Sequence, residues 1–312
     1  MTKVGIVTYL RDDEVLTTEL IDICKYIKSI YPNTSLELYS SSIDEKKYPQ
    51  VESLLPINYR FQRGTKYRKL LKTLNSTDYE YVITLDNDIS ANKKNLLKMI
   101  NDTIEEKYDI AWGKIYSRNL TNMVSKLVMV DKLLSHDILR PLLWRAKIGA
   151  TIPGQCFILR TKCFSNRLPL TDTFLDDLSI GAFTVKNSLK YYYFKRVIAY
   201  EIPSYTFKDL LNQRKRWAMG FKQSLSCKTL TRKNEKLLWI HALTYHLIPI
   251  IYWISLIVLV FVCPIIAAIL IFLVSIILSS SNLNYIIYAM LYQIIFPIFH
   301  VAWLITFLKY KL

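Results

Sequence analysis

Three short constellations in this chain could do chemistry. In Leu85-Asp86-Asn87-Asp88 two carboxylates stand one residue apart. At the end of a strand such a pair offers hard oxygen ligands to Mg2+ or Mn2+. An ion held there would bridge the phosphates of a nucleotide and neutralise a departing diphosphate. A turn or a helix cap uses the same residue types and is the competing reading. In Phe174-Leu175-Asp176-Asp177-Leu178 adjacent carboxylates open a helix. They either complement its dipole or supply a general base to a hydroxyl, in which case the proton belongs to the coupled pair. In Gln213-Arg214-Lys215-Arg216-Trp217, helical spacing places Gln213, Arg216, Trp217 and the following Gly220 on one face. Arg216 can fork onto phosphate oxygens, and Trp217 offers a flat surface for a sugar ring. A basic helix lying on a membrane, anchored by its Trp, has the same composition.

The elements that must position these groups follow from apolar periodicity. Val4–Leu10 and Tyr81–Leu85 read as buried strands, and Leu36–Tyr39 as a short strand between them. Residues 13–30 carry Leu16, Leu20, Cys24 and Ile27 at helical spacing, and helices are expected over 65–74 and 92–105. Strands alternating with helices predict a mostly parallel sheet covered on both faces, with ligands at the C-terminal strand ends. Further on, the pattern predicts a helix over 119–137, an extended run at Cys156–Leu159 and a helix starting near Asp176. A strand at Tyr191–Phe194 and a basic helix over 206–222 complete it.

Charge divides the chain sharply. Leu237 to Leu308, 72 residues, hold no Lys, Arg, Asp or Glu. Residues 1–236 carry 39 basic and 25 acidic side chains. A wholly soluble enzyme is excluded by so long an uncharged, apolar stretch. The expectation is a soluble domain over 1–236 and a membrane domain of two or three transmembrane helices over 237–312. Met1-Thr-Lys3 leads straight into a strand, so no secretory signal is expected and the soluble domain is placed in the cytosol. Five cysteines without a CxxC spacing indicate neither a disulfide framework nor a zinc site. Basic excess beside a membrane segment points to anionic lipid, and no nucleic-acid signature is present. His241, His246 and His300 suit interfacial or interhelical contacts, and Cys156 a small buried position.

The three constellations, in this order and ahead of membrane helices, resemble the family 2 glycosyltransferases. The likeness is nearest to the polysaccharide synthases that include cellulose, chitin and hyaluronan synthases. It covers about residues 3–225 and the tail in outline. The resemblance implies a nucleotide-diphospho-sugar transferase (GT-A) fold and an inverting, metal-dependent transfer from a nucleotide sugar, a UDP-sugar by the family's habit. It implies that Asp86 and Asp88 hold Mg2+ or Mn2+ against the diphosphate and that Asp177, with Asp176 beside it, is the base. It implies further that Gln213, Arg216 and Trp217 serve diphosphate and acceptor. Gln62-Arg63-Gly64-Thr65-Lys66 matches a basic, Gly-containing segment near the uridine and diphosphate, so Gly64 and Lys66 join the set. Pro153-Gly154-Gln155-Cys156-Phe157 resembles the entry to the acceptor-site strand. Asp44 is assigned to the nucleoside, although Ser40-Ser41-Ser42-Ile43-Asp44 departs from the family's Asp-rich turn.

The implied partners are a nucleotide-sugar donor, a polysaccharide or lipid-linked acceptor and the bilayer of the plasma membrane. A homo-oligomer or a separate export subunit also fits, because the tail is short for a self-sufficient channel. Processive synthesis of a polysaccharide, addition of one sugar to a lipid-linked acceptor, and a non-catalytic membrane scaffold remain the competing functions.

Overall fold

The computed structural model describes residues 2–11, 14–40, 55–170, 173–226 and 232–310. The first elements are β1 (Val4–Tyr9), α1 (Thr18–Ile30), β2 (Thr34–Ser40), β3 (Ile57–Phe61) and α2 (Lys66–Ser76). Next come β4 (Tyr81–Leu85), β5 (Ile89–Ala91), α3 (Lys93–Glu105), β6 (Ile110–Ser117), α4 (Met123–Leu133) and α5 (Arg140–Arg145). Then follow β7 (Cys156–Arg160), α6 (Thr161–Phe164), α7 (Asp176–Lys186), β8 (Tyr191–Glu201) and α8 (Phe207–Leu225). The chain ends with α9 (Arg232–Ala242), α10 (Ile248–Val262), α11 (Pro264–Leu278), α12 (Ile286–Ile295) and α13 (Pro297–Lys309). It divides into two compact units, one formed by residues 1–115 and 152–201, the other by 116–151 and 202–312.

The first unit is built on a sheet of order β3-β2-β1-β4-β7-β6-β8-β5. Its β3-β2-β1-β4 half is parallel. β4 and β6 pair antiparallel with β7, and β5 with β8. The sheet expected to be mostly parallel is therefore mixed. A strand buried on both faces reads as a continuous apolar run whichever way it points, so the periodicity of Cys156–Leu159 carried no sign of its direction. The edge strand β3 and the short β5 went unpredicted because their exposure is mixed. The core joins Ile6, Leu36, Leu38, Ile83 and Ile158 of the sheet to Leu20, Cys24 and Ile27 of α1 and to Leu96, Met99 and Ile100 of α3. Thr17 caps α1 and Thr65 caps α2, each accepting a backbone N–H three residues on.

The second unit is helical. The helix expected over 119–137 starts at Met123 behind an Asn122–Ser125 capping box, and from Leu134 to Leu139 it widens into a π-helical turn. Leu127, Val130, Leu210, Ala289, Tyr292, Phe296 and Phe299 share one apolar cluster. Two helical stretches, Arg232–Val262 with 31 residues and Leu283–Lys309 with 27, are long and apolar enough to cross a membrane, and α11 is shorter.

Candidate functional site

In the first unit the groups that could do chemistry meet at the C-terminal end of β4. Leu85 pairs with Cys156 of β7, and the ladder continues as Asp86 N donates to Gln155 O at 2.9 Å. This pairing puts Gly154, just before β7, alongside Asp86. Lys66, the first residue of α2, extends into the same place. Its Nζ donates to Asp86 Oδ1 at 2.5 Å and to Gly154 O, and stands 3.8 Å from Asp176 Oδ2. A Cβ on Gly154 would lie 3.4 Å from Asp177 Cβ and 3.6 Å from Asp176 Oδ1. Thus Lys66, Asp86, Asp176 and Asp177 are brought together around one glycine backbone.

The electrostatics of this cluster follow from its partial dryness. Burial pushes the Asp86 carboxyl up to about 6; Lys66 opposes that rise, and Asp176 and Asp88 add to it. Burial likewise raises Asp176 to about 6, against the pull of Lys66 and with the push of Asp177. For Lys66 burial disfavours the cation, but the carboxylates of Asp86 and Asp176 outweigh it and hold the ammonium charged. The Tyr9 ring lies 5.3 Å from Lys66 Nζ, and burial followed by the charge of Asp176 raises its hydroxyl's pKa. Tyr9 OH and Asp176 Oδ2 are both buried without a hydrogen-bond partner among the described residues. Unsatisfied buried polar atoms are costly, and their pairing around a lysine marks a place prepared for a polar ligand.

Asn87 and Asp88 separate in role. Asn87 is buried: its Oδ1 accepts from Thr17 N, its Nδ2 donates to Val15 O, and its carbonyl accepts from Thr17 Oγ1, each at 2.9 Å. The middle residue of the motif therefore ties β4 to the cap of α1. Asp88 is exposed, immediately before β5. Asp86 and Asp88 are hard oxygen donors, and no group of three or more His, Cys, Asp or Glu suited to a metal gathers among the described residues. That donor set fits an ion such as Mg2+, which takes one or two carboxylates from protein and the rest of its ligands from diphosphate and water. Gly64 adopts a φ of 114°, a conformation that excludes a side chain, and this lets the chain turn into α2 just ahead of Lys66. Asp44 lies outside the described residues.

Gln213, Arg216 and Trp217 belong to the second unit, on α8. Arg216 is exposed; Gln213 and Trp217 are half-buried. The organising residue of this motif is one the sequence reading passed over. Arg214 is 3% exposed and its Nη2 donates to Asp131 Oδ2 at 2.7 Å. Tyr292 OH donates to the other oxygen of Asp131 at 2.8 Å. The Arg214 guanidinium lies 4.2 Å from the Trp217 ring centre and 5.1 Å from that of Phe296. Burial would raise the Asp131 carboxyl, but Arg214 beside it holds it below the usual carboxylate range. A signal was present: Leu210, Arg214, Ala218 and Phe221 form the buried stripe of α8, and Asp131 interrupts the apolar stripe of α4. Two opposite charges on apolar faces call for each other. The histidines take interhelical positions, with His246 Nδ1 3.2 Å from His300 Nδ1 and stacked 4.0 Å above Trp303.

Comparison with known proteins bears on this geometry. The family described as glycosyl transferase family group 2 matches residues 81–308. Among solved structures, a mannosyltransferase from Pyrobaculum calidifontis, determined with GDP-Man and Mn2+, aligns over 98% of this chain and 87% of its own at 14% identity and a TM-score of 0.56. Glucosyl-3-phosphoglycerate synthase from Mycobacterium tuberculosis, with Mn2+, UDP and glucosyl-3-phosphoglycerate, aligns over 74% and 82% at 15% identity and a TM-score of 0.49. S. aureus TarS 1–349 aligns over 76% and 69% at 14% identity and a TM-score of 0.45. At these identities the first likeness is one of fold, that of the GT-A glycosyltransferases. No curated protein matches the chain.

Proposed function

The chain belongs to glycosyl transferase family group 2, and we propose that it is a membrane-anchored, inverting, metal-dependent enzyme whose residues 1–236 face the cytosol. Its donor is a nucleotide-diphospho-sugar, a UDP-sugar in this reading, and its acceptor a growing polysaccharide. The observation that carries the proposal is the Lys66–Asp86–Asp176 cluster, where an ammonium held between two carboxylates stands at the strand ends that bind nucleotides in such sheets.

Asp86 and Asp88 would hold Mg2+ or Mn2+, which when bound supplies positive charge to the diphosphate oxygens. Lys66 turns from Asp86 to those oxygens as the donor enters, and Gly64 lets the backbone approach them. Asp177 takes the proton of the acceptor hydroxyl as its oxygen attacks the anomeric carbon from the face opposite the diphosphate. The new carbon–oxygen bond forms while the bond to the diphosphate breaks. The electron pair leaves with the nucleoside diphosphate, and the configuration inverts. Asp176, its charge partly offset by Lys66, lets Asp177 stay ionised beside it and so available to accept the proton. By the family pattern, Arg216 steadies the leaving diphosphate, Gln213 and Trp217 orient the acceptor, and Asp44 contacts the nucleoside.

The second reading is single transfer to a lipid-linked acceptor, favoured by the small number of apolar helices. Purified enzyme is incubated with a panel of nucleotide sugars and Mn2+ or Mg2+, and both nucleoside diphosphate release and product length are recorded. Metal-dependent release with a long product supports the proposal. Release with one added sugar moves the assignment to the second reading, and no release with any donor under either metal overturns both.

A further inference from the structure

α10 and α11 are 15 residues each, joined by a single residue, Cys263, ahead of Pro264. They fold back on each other. Tyr252 OH donates to Gln293 Oε1, while Gln293 Nε2 donates to Ser275 Oγ at 2.7 Å and to Ile271 O at 3.0 Å. Tyr252 and Ser275 stand 11 residues before and 12 after Cys263, so one glutamine latches both legs of a hairpin at the same level. Beyond the latch, and beyond the Trp253 Nε1 bond to Ile294 O at 3.0 Å, little of it is buried among the described residues. The buried residues of the two legs are Leu256, Ala267, Ser275 and Leu278. Phe261, Val262 and Ile265, around the turn, are 84%, 76% and 73% exposed.

The foot and the tip differ in kind. At the foot, α11 runs into Ser279-Ser280-Ser281-Asn282, and Ser281 Oγ donates to the carboxylate of Asp137 at 2.6 Å. From Leu256 to Leu270, around the tip, Cys263 is the most polar side chain. The turn is nonetheless hydrogen-bonded: Cys263 N donates to Leu259 O at 2.8 Å, and Cys263 O accepts from Ala267 N at 3.1 Å. Pro264 has no N–H to satisfy. A backbone that meets its own polar needs at an apolar tip suits hydrocarbon and gains nothing from water. Each leg is about 22 Å long at 1.5 Å per residue, against about 30 Å for the hydrocarbon layer. The first leg continues the long helix from Arg232, whose earlier turns pack on α13, Trp239 on Phe307 and His246 on Trp303, whereas the return leg ends at Leu278 ahead of the serines and is too short to cross.

We infer that the α10–α11 hairpin is a re-entrant membrane anchor. It enters one leaflet, rests its Phe261–Ile265 tip in hydrocarbon and returns to the side it came from. The leaflet is an anionic one, because the unit carrying the hairpin holds 17 Lys and Arg against 4 Asp and Glu. This inference rests on the membrane attachment proposed above and fixes its topology.

The native Cys263 thiol reports on it. A Cys163→Ser, Cys227→Ser variant leaves Cys24 and Cys156, both buried, as the other cysteines. Membrane vesicles of both orientations are prepared from expressing cells and treated with a membrane-impermeant maleimide, with and without mild detergent. The expected result is no labelling of Cys263 in either orientation and full labelling after detergent. Ser281→Cys at the foot reacts in the cytosol-out orientation alone. Labelling of Cys263 in cytosol-in vesicles means the hairpin crosses, and labelling in cytosol-out vesicles means the tip is not inserted; either overturns the inference. As a second measurement, Phe261→Arg places a charge in the hydrocarbon and lowers binding to phosphatidylglycerol vesicles by roughly a hundredfold. Unchanged binding overturns the inference as well. Wild-type protein that fails to sediment with vesicles overturns membrane attachment itself, a different outcome from either labelling result.

Discussion

The two units spend their charges differently. The first carries 24 basic and 21 acidic side chains, close to balance, and concentrates opposite charges at one point around Lys66. The second carries 17 basic against 4 acidic, and its half-buried Asp131 is matched to the buried Arg214. Balanced charge allows carboxylates to be packed close enough to shift one another, which acid–base and metal chemistry require. A one-signed surface does not favour such packing, but it draws anionic lipid and phosphate from a distance. Under the proposed function, chemistry and attachment can be disturbed separately, and the following changes exploit that.

The largest effect is expected at the first unit. Asp88→Asn lowers kcat/KM for sugar transfer by about 10²- to 10⁴-fold, the range for losing a group that acts on the reacting charge. Co-sedimentation with vesicles stays unchanged. A matching loss of vesicle binding would erase the separation between the units. Next in size, Asp131→Leu strands the buried Arg214 charge and costs the second unit about 3–5 kcal/mol, and Arg214→Met, which leaves the half-buried Asp131, costs less. Unfolding followed by tryptophan fluorescence in detergent checks this, and the double variant Asp131→Leu, Arg214→Met recovers most of the loss. Recovery would show that the pair serves specificity of packing more than net stability.

Smaller again is the pH response of the first unit. Without metal, burial holds the Asp86 carboxyl up at about 6, so below that pH it carries a proton that a metal must displace. Apparent affinity for metal and nucleotide diphosphate falls as pH drops through 6, by up to about tenfold per unit, with proton uptake by buffer on binding. The sign for folding is opposite. A carboxyl raised above its unfolded pKa favours the fold below about pH 4, and that contribution is lost as pH rises through 6. Calorimetry in two buffers of different ionisation enthalpy, from pH 5 to 7, measures the uptake. The smallest change is Lys233→Gln with Lys236→Gln in the second unit, worth about 1 kcal/mol per residue on anionic vesicles and vanishing in high salt. Donor KM is unmoved.

Much of the first unit was legible because its signals are local. Tyr81–Leu85 is a run of buried residues in the sequence and in the sheet alike. Thr65 ahead of Lys66, and Asn92 ahead of α3, are cap residues that announce their helices. The placing of Lys66 beside Asp86 could be suspected from family pattern alone, since 20 residues separate them. What stayed hidden is what depends on distant pairing. Arg214 finds Asp131 across 83 residues and Tyr292 finds Asp131 across 161, and no periodicity reports such partners. The same holds for strand direction in β7 and for Asn87, which looked like part of an acidic motif and is a tie to Thr17. The hairpin tip was visible as an uncharged stretch, and Pro264 fitted either one kinked helix or two shorter ones; the choice between them is a backbone fact, φ −151° and ψ 79° at Cys263.

The proposed function stands on the carboxylates of the first unit performing metal-dependent sugar transfer. A single-turnover experiment tests it most directly, with nucleoside diphosphate release and donor affinity measured together for wild type and Asp177→Asn. The expected result is that the variant binds the nucleotide sugar and Mn2+ with an affinity within about threefold of wild type and releases nucleoside diphosphate at least about a hundredfold more slowly. Release by Asp177→Asn at the wild-type rate would contradict it.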